Sequence, residues 1–139
     1  MQIQFTVPGE AVTQGSMAVV KGKVVHSKRR RKDGTMPMTV MQWRRIVKSY
    51  AGAAMSDIAM EPWDGPAAVR VVFYLRKPKE PHCNTSPDTK PDLDKLLRAL
   101  GDALEGSVVT QDSRIVEWSG IKRWARPGEE RVDVEVALL

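Results

Sequence analysis

The sequence has one cysteine, Cys83, so no disulfide can form within the chain. It has no internal repeat and no apolar run that approaches a membrane span. Residues 1–5 do not open a signal peptide, so we expect a cytoplasmic protein. His26 and His82 have no catalytic partner at a recognisable spacing, and no glycine-rich phosphate loop is present. These absences argue against a disulfide scaffold, an integral membrane protein, a solenoid and a nucleophilic triad enzyme.

The bulk composition is that of a folded basic domain. With 139 residues, of which 42% are hydrophobic and 28% charged, the chain is expected to form one domain over residues 1–139 with its own core. The formal net charge is +5 and the sequence pI is about 9.6. A basic balance in a domain of this size favours a polyanionic partner.

Hydrophobic periodicity predicts an α+β fold, with a mixed β-sheet and two helices packed on one of its faces. Alternating apolar residues predict strands over residues 2–7, 69–75, 113–124 and 131–138. A lysine-glycine-lysine turn predicts a hairpin that pairs residues 17–20 with residues 24–27.

Apolar residues at helical spacing predict the two helices. The first runs from an N-cap at Thr39 to about Met60, before a stop at Pro62. Its apolar face is expected to contain Val40, Trp43, Val47, Tyr50, Ala54 and Ile58. The second ends near Gly106 and carries a leucine stripe made of Leu93, Leu96, Leu97, Leu100 and Leu104.

A dense basic segment lies within residues 17–34, in the predicted hairpin and the loop that follows it. Its seven positive side chains are Lys21, Lys23, Lys28, Arg29, Arg30, Arg31 and Lys32. They are about a third of the 22 Lys and Arg residues of the chain, so the positive charge is concentrated here. Flexible basic loops neutralise phosphates and carry little base-specific information. We expect the segment to bind nucleic acid, with a merely solvated loop as the alternative.

Three aspartates are the candidate reactive groups. Asp92 marks the start of the second helix, Asp94 lies in its first turn, and Asp112 lies near the start of the next strand. Because an aspartate at a helix N-terminus usually caps backbone amides, capping is the simpler interpretation of Asp92 and Asp94 taken alone. A cation shared between these carboxylates is the alternative.

Two features favour the cation. The strand after the helix is expected to return the chain, and with it Asp112, near the helix start. The acids also have basic neighbours in the sequence, namely Lys90, Lys95, Arg98 and Arg114. Hard oxygen ligands suit Mg²⁺, which bridges carboxylates to phosphate. Asp102 is a fourth candidate, although Asp102 and Glu105 are expected to be solvated.

The tryptophans are less informative at this level. Trp43 lies on the apolar face of the first helix and is expected in the core. Trp118 and Trp124 lie on one face of a predicted strand, where packing is favoured and stacking on bases is the alternative.

Three motifs resemble those of one known family. They are Asp92-Leu93-Asp94-Lys95-Leu96-Leu97-Arg98, then Gly101-Asp102-Ala103-Leu104, then Gln111-Asp112-Ser113-Arg114-Ile115-Val116. In this order and spacing they resemble the RusA-type Holliday junction resolvases, small endodeoxyribonucleases of bacteria and their phages. The likeness is dense over residues 90–117, which would be the catalytic segment.

The resemblance implies roles for particular residues. Asp92, Asp94 and Asp112 would be catalytic ligands of Mg²⁺, with Mn²⁺ possible. Arg98 takes the place of a lysine in the family pattern and keeps the positive charge. Lys95 takes the place of an asparagine, and Lys90 with Lys95 would contact DNA. A homodimer is also implied, because paired nicks in a two-fold junction need two symmetric sites.

The sequence alone leaves other functions open. A DNA-binding module without catalysis would use the same acids only as caps. A structure-specific nuclease would act on forks or flaps in place of junctions. The Asp-x-Asp motif of a nucleotide-sugar glycosyltransferase fits poorly, because 139 residues leave no room for a donor domain.

Overall fold

The computed structural model describes residues 1–13, 17–20, 23–26 and 37–139. The elements in this part of the chain are β1 (Gln2–Pro8), β2 (Met17–Val20), β3 (Lys23–His26), α1 (Val40–Asp57), β4 (Ala67–Leu75), α2 (Leu93–Leu104), β5 (Ile115–Trp124) and β6 (Arg131–Leu138). A single turn of 3-10 helix, Asp112–Arg114, precedes β5. The predicted α+β class and the predicted order of elements are confirmed.

Four of the strands form one mixed sheet in the order β1-β6-β4-β5. The pairs β1/β6 and β6/β4 are antiparallel, whereas β4 and β5 are parallel and are joined through α2. The strand β5 therefore lies at an edge of the sheet. The strands β2 and β3 pair with each other, as the predicted hairpin requires. The loop expected to follow them lies outside the described residues.

One face of the sheet carries the core. In β4 the side chains of Val69, Val71, Phe73 and Leu75 are buried, and the residues between them are exposed or half-buried. The same alternation runs along β6, so the predicted two-residue period is confirmed. The buried residues of α1 and α2 join this core, so neither helix of the described residues covers the opposite face of the sheet.

The helix α1 begins as predicted, at a capping box in which Thr39 and Gln42 bond each other's backbone amides. Its buried residues are Trp43, Val47, Ala51 and Met55. The expectation that Tyr50 shares this face is wrong, since Tyr50 is 41% exposed and the four-residue spacing continues through Ala51. The helix ends at Asp57, and Ala59 in the left-handed region (φ 52°) turns the chain before Pro62.

The helix α2 lies against the edge strand. Its buried leucines are Leu96, Leu100 and Leu104, with Leu93 and Leu97 half-buried beside them. A Cβ on Gly120 of β5 would lie 2.8 Å from a methyl group of Leu97, so the missing side chain lets helix and strand approach closely. Neither helix is long and apolar enough to cross a membrane, among the residues described.

Candidate active site

One face of α2 presents alternating charges. Asp94, Arg98 and Asp102 are spaced four residues apart, so their side chains lie above one another along the helix. Gly101 on the same face leaves room for a neighbouring side chain from β5. The leucine stripe on the other side of the helix packs into the core, and this packing turns the charged face away from the core.

This face forms the wall of an open cavity of about 300 Å³. The residues that line it are Asp94, Leu97, Arg98, Gly101, Asp102, Asp112, Ile115 and Trp118. The structure therefore brings Asp94 and Asp112 to one cavity, together with the fourth candidate Asp102. Arg98 lies among these acids.

Asp112 lies on the side of the cavity that is next to the C-terminal half of α2. Its amide lies 3.5 Å from a carboxylate oxygen of Glu105, just beyond the end of the helix. The expectation that the chain brings Asp112 near the start of the helix is therefore wrong, because Asp112 lies near the end of the helix. Because β4 and β5 are parallel, the helix between them runs in the opposite direction, and the chain enters β5 from the helix's C-terminal end.

The turn that carries Asp112 is held by a residue that the sequence did not single out, Asp64. A carboxylate oxygen of Asp64 accepts from the Thr110 hydroxyl and, at 3.2 Å, from Arg114 Nε. The hydrogen bond from Thr110, then the hydrogen bond and charge of Arg114, lower the pKa of Asp64 below its ordinary value. Two backbone hydrogen bonds also hold this turn. The Trp63 amide donates to the Val108 carbonyl at 2.7 Å, and the Thr110 amide donates to the Trp63 carbonyl at 3.1 Å.

Asp92 occupies the N-cap position of α2, but its side chain makes no capping hydrogen bond. Its carboxylate lies 3.5 Å from Lys95 Nζ, and it is not among the residues that line the cavity. Asp92 therefore has the expected N-cap position, but the capping hydrogen bond of the simpler interpretation is not formed. The segment in front of it is anchored by Lys122, whose ammonium donates to the carbonyls of Thr89 and Pro91 at 2.8 and 3.0 Å.

The cations around the site have different partners. Arg44 on α1 forms an ion pair with Asp102 at 2.8 Å, and Arg114 pairs with Asp64 at 3.1 Å. Asp102 is thus not simply solvated, and Arg114 is turned toward Asp64. Lys48 on α1 donates to the Glu105 carbonyl at 2.6 Å. Within the described residues Arg98 has no ion pair, so its guanidinium is available to an anion in the cavity.

The remaining predicted DNA contacts lie elsewhere. Lys90 is exposed, two residues before Asp92. Lys23 belongs to β3, of which the structure describes only the backbone. The other predicted contacts in the basic segment lie outside the described residues, and they are Lys21, Lys28, Arg29, Arg30, Arg31 and Lys32.

The carboxylates that line the cavity are spaced along its length. In the part of the chain that the structure covers, no three Asp, Glu, His or Cys side chains are grouped closely enough to hold a metal ion between them. Asp94 and Asp102 are eight residues apart, or about 12 Å along a helix. The donor chemistry nevertheless suits Mg²⁺, which keeps several waters and commonly takes only one or two protein carboxylates beside a substrate phosphate.

These features are those of a small α+β domain whose cavity is lined by carboxylates and by an arginine that has no ion pair among the described residues. Residues 9–137 match the model of the family described as Endodeoxyribonuclease RusA. The chain therefore belongs to the RusA endodeoxyribonuclease family, and the resemblance inferred from its motifs is confirmed. The chain is also similar to the uncharacterized protein YqaN of Bacillus subtilis (strain 168), with 27% identity over 146 residues that cover 96% of this chain and 94% of YqaN.

Proposed function

We propose that this protein is a divalent-metal-dependent endonuclease that resolves four-way DNA junctions by paired, symmetric nicks. The observation that carries the proposal is the cavity in which Asp94 and Asp112 lie beside Arg98, which has no ion pair within the part of the chain described. Carboxylates hold a hard cation and a guanidinium holds a phosphate, so one cavity offers both. Membership of the RusA family supports DNA as the substrate.

The metal ligands are proposed to be Asp92, Asp94 and Asp112, holding Mg²⁺ or Mn²⁺. Asp94 and Asp112 are supported by their place on the cavity wall, and Asp92 by its place in the family motif and by its uncapped carboxylate. The bound ion would ready a water for attack on phosphorus and neutralise charge on the phosphate oxygens. Asp94 and Asp112 therefore set where the scissile phosphate lies.

Arg98 is proposed to hold that phosphate. A guanidinium offers two parallel N–H donors to phosphate oxygens and stays protonated, so it stabilises the charge that grows as the P–O bond breaks. It does not serve as a proton donor. Lys95, which stands next to the acids and pairs with Asp92, is proposed to contact the DNA backbone together with Lys90.

Asp102 is proposed as a positioning residue. Asp102 lines the cavity, and its carboxylate forms an ion pair with Arg44 on α1. This ion pair links the two helices at the edge of the site. This pairing leaves Arg98, one turn earlier on α2, free to meet the substrate.

Junction resolution also needs two copies of the site, and we propose a homodimer formed through the helix-free face of the sheet. That face has a shallow concavity of about 580 Å³, with Val72 and Ile121 among its lining residues. Acidic Asp133 and Glu135 lie on β6, and basic Arg70 lies on the neighbouring β4. A two-fold axis parallel to the strands would place the acidic side of one copy opposite the basic side of the other.

The test is cleavage of a synthetic four-way junction, beside a fork, a flap and a linear duplex, with Mg²⁺, Mn²⁺ or EDTA. Asp94→Asn and Asp112→Asn are expected to abolish metal-dependent cleavage and to leave junction binding in EDTA intact. Asp57→Asn, which alters an exposed aspartate at the end of α1, is the matched control and should cleave normally. Asp92→Asn is expected to abolish metal-dependent cleavage as well, whereas Asp102→Asn, which weakens the ion pair with Arg44, should lower cleavage less.

Other outcomes identify the alternatives. Wild-type protein that binds the junction but leaves it uncut in every metal would be a DNA-binding module. Faster cleavage of forks or flaps than of junctions would make it a nuclease for those structures. Normal cleavage by Asp94→Asn and Asp112→Asn would show that the reaction takes place elsewhere on the protein.

A further inference from the structure

The four tryptophans have different surroundings. Trp43 is 1% exposed in the core. The indole N–H of Trp63 donates to the Pro66 carbonyl at 3.0 Å, and that of Trp124 donates to the Cys83 carbonyl at 3.1 Å. Trp118 is 36% exposed, and in the described part of the chain its indole N–H has no protein partner. Trp118 therefore presents an exposed ring that can contact a ligand.

Trp118 belongs to the wall of the carboxylate cavity. Its six-membered ring lies against α2 at Gly101, where an added Cβ would be 3.4 Å from Cζ2. The same cavity wall includes Asp94, Arg98 and Asp112. The ring is thus supported by the helix and open to whatever occupies the cavity.

We infer that Trp118 is a stacking platform for one unstacked nucleobase next to the phosphate bound at Arg98. A nucleotide carries its base close to its phosphate, so a phosphate at Arg98 brings a base within reach of the neighbouring indole. Stacking on an aromatic ring accepts any base, which suits an enzyme that recognises DNA shape. At a branch point the base stack is interrupted, so a base is captured there at the lowest unstacking cost.

The same strand exposes Val116, at 64%, so an apolar protein partner is the competing occupant. The charged cavity wall disfavours such a partner, because Trp118 shares it with carboxylates and with the guanidinium of Arg98, which has no acid partner among the described residues and can hold a DNA phosphate. An apolar protein surface would bury that charge without compensation. The inference rests on the proposed function, since it takes branched DNA as the ligand.

The experiment uses photo-crosslinking without metal, so that it does not depend on cleavage. A four-way junction carrying 5-iododeoxyuridine at the branch nucleotides is bound to the full-length protein in EDTA and irradiated, and the adduct is mapped by peptide mass spectrometry. The adduct is expected on Trp118. Trp118→Ala should lose it and bind the junction about tenfold or more weakly. Trp118→Phe should keep most of the binding, and Val116→Ala should change neither measurement.

Several results would overturn the inference. One is an adduct on other residues, with junction binding by Trp118→Ala equal to that of wild type. Another is the conversion of a dimer to a monomer by Trp118→Ala in light scattering, which would assign the indole to a protein contact. Wild type that cleaves junctions without a Trp118 adduct would contradict the stacking role alone. An adduct on Trp118 in a protein that never cleaves would contradict the nuclease proposal alone.

Discussion

Arg98 lies one turn after Asp94 and one turn before Asp102 on the same face of α2. Such neighbours usually form weak ion pairs, worth a few tenths of a kcal/mol on an exposed helix. Within the described residues Arg98 forms neither pair, and the carboxylate of Asp102 is taken by Arg44 from the other helix. Arg98 is therefore left without an ion pair in the described part of the chain, which fits its proposed role as a phosphate contact.

Replacing Arg98 tests its role in the reaction. Arg98→Ala is expected to lower the single-turnover cleavage rate by roughly 10²–10³, the usual cost of losing one donor that stabilises transition-state charge. Arg98→Lys should lose less, because it keeps the charge but not the two parallel donors. Arg45→Ala, an exposed arginine on α1, is the control. Equal effects of Arg98→Ala and Arg45→Ala would remove Arg98 from the site.

Asp64 gives a prediction about pH. Its pKa is lowered in the folded protein by Thr110 and Arg114, so its contribution to stability is present above the unfolded-state pKa and is lost as pH falls through the folded-state pKa. The Tm of Asp64→Asn is expected to lie below that of wild type at neutral pH. The difference should close as the pH falls below about 4. A Tm difference that persists unchanged at low pH, measured by calorimetry, would contradict this assignment.

At the scale of elements, the parallel pairing of β4 and β5 determines the shape of the site. The crossover helix runs antiparallel to both strands, so the Asp112 turn lies beside the C-terminal half of α2 and the cavity extends toward Asp94 in its first turn. Gly120 lets this helix lie close to the edge strand. The acids consequently line an elongated cavity rather than a compact cluster.

The salt dependence of DNA binding tests whether the basic segment within residues 17–34 contacts DNA phosphates. Replacing Arg29, Arg30 and Arg31 together with alanine is expected to weaken binding to all DNA forms. The slope of log K against log salt should become shallower by about 2.7, at about 0.9 for each lost phosphate contact. Cleavage at saturating protein should be preserved. Replacing Arg76, Lys77 and Lys79 changes the net charge equally, and an equal slope change in that variant would show a general charge effect.

At the scale of the whole molecule, the sheet separates two surfaces. The helices cover one face and carry the cavity with α2, while the opposite face presents rows of charged and apolar side chains across the four strands. In one such row Asp133 stands beside Val72, and Thr6 donates to Asp133 at 2.9 Å. A dimer formed through this face would leave both cavities accessible to DNA.

The dimer proposal predicts the effect of placing a charge in the concavity of that face. Ile121→Asp is expected to convert a dimer to a folded monomer in light scattering, because the new carboxylate would be desolvated in the interface. Paired nicking of a junction should then become two independent nicks. Val116→Asp, at an exposed site outside the concavity, is the control. A wild type that is monomeric at working concentrations would contradict the proposal.

Much of the fold was predictable from residues that are close in the sequence. The capping box at Thr39, the alternation along β4 and the leucine stripe of α2 all reflect interactions within one turn or one strand. Their periods follow from backbone geometry, so they can be read without the rest of the chain. The family motif likewise lies in one short segment. The error at Tyr50 arose because the apolar face of α1 was assigned without knowing which side the sheet covers.

Short-range patterns in the sequence thus predicted the elements, the fold class, the family and the candidate acids. Which side chains meet in the cavity, and which cations of the described residues lack an ion pair, depends on the tertiary structure. Arg114 lies two residues after Asp112 in the sequence, but its partner in the fold is Asp64, 50 residues away. The reason is physical: ion pairs between elements depend on how helices and strands pack, and that packing is a property of the whole chain.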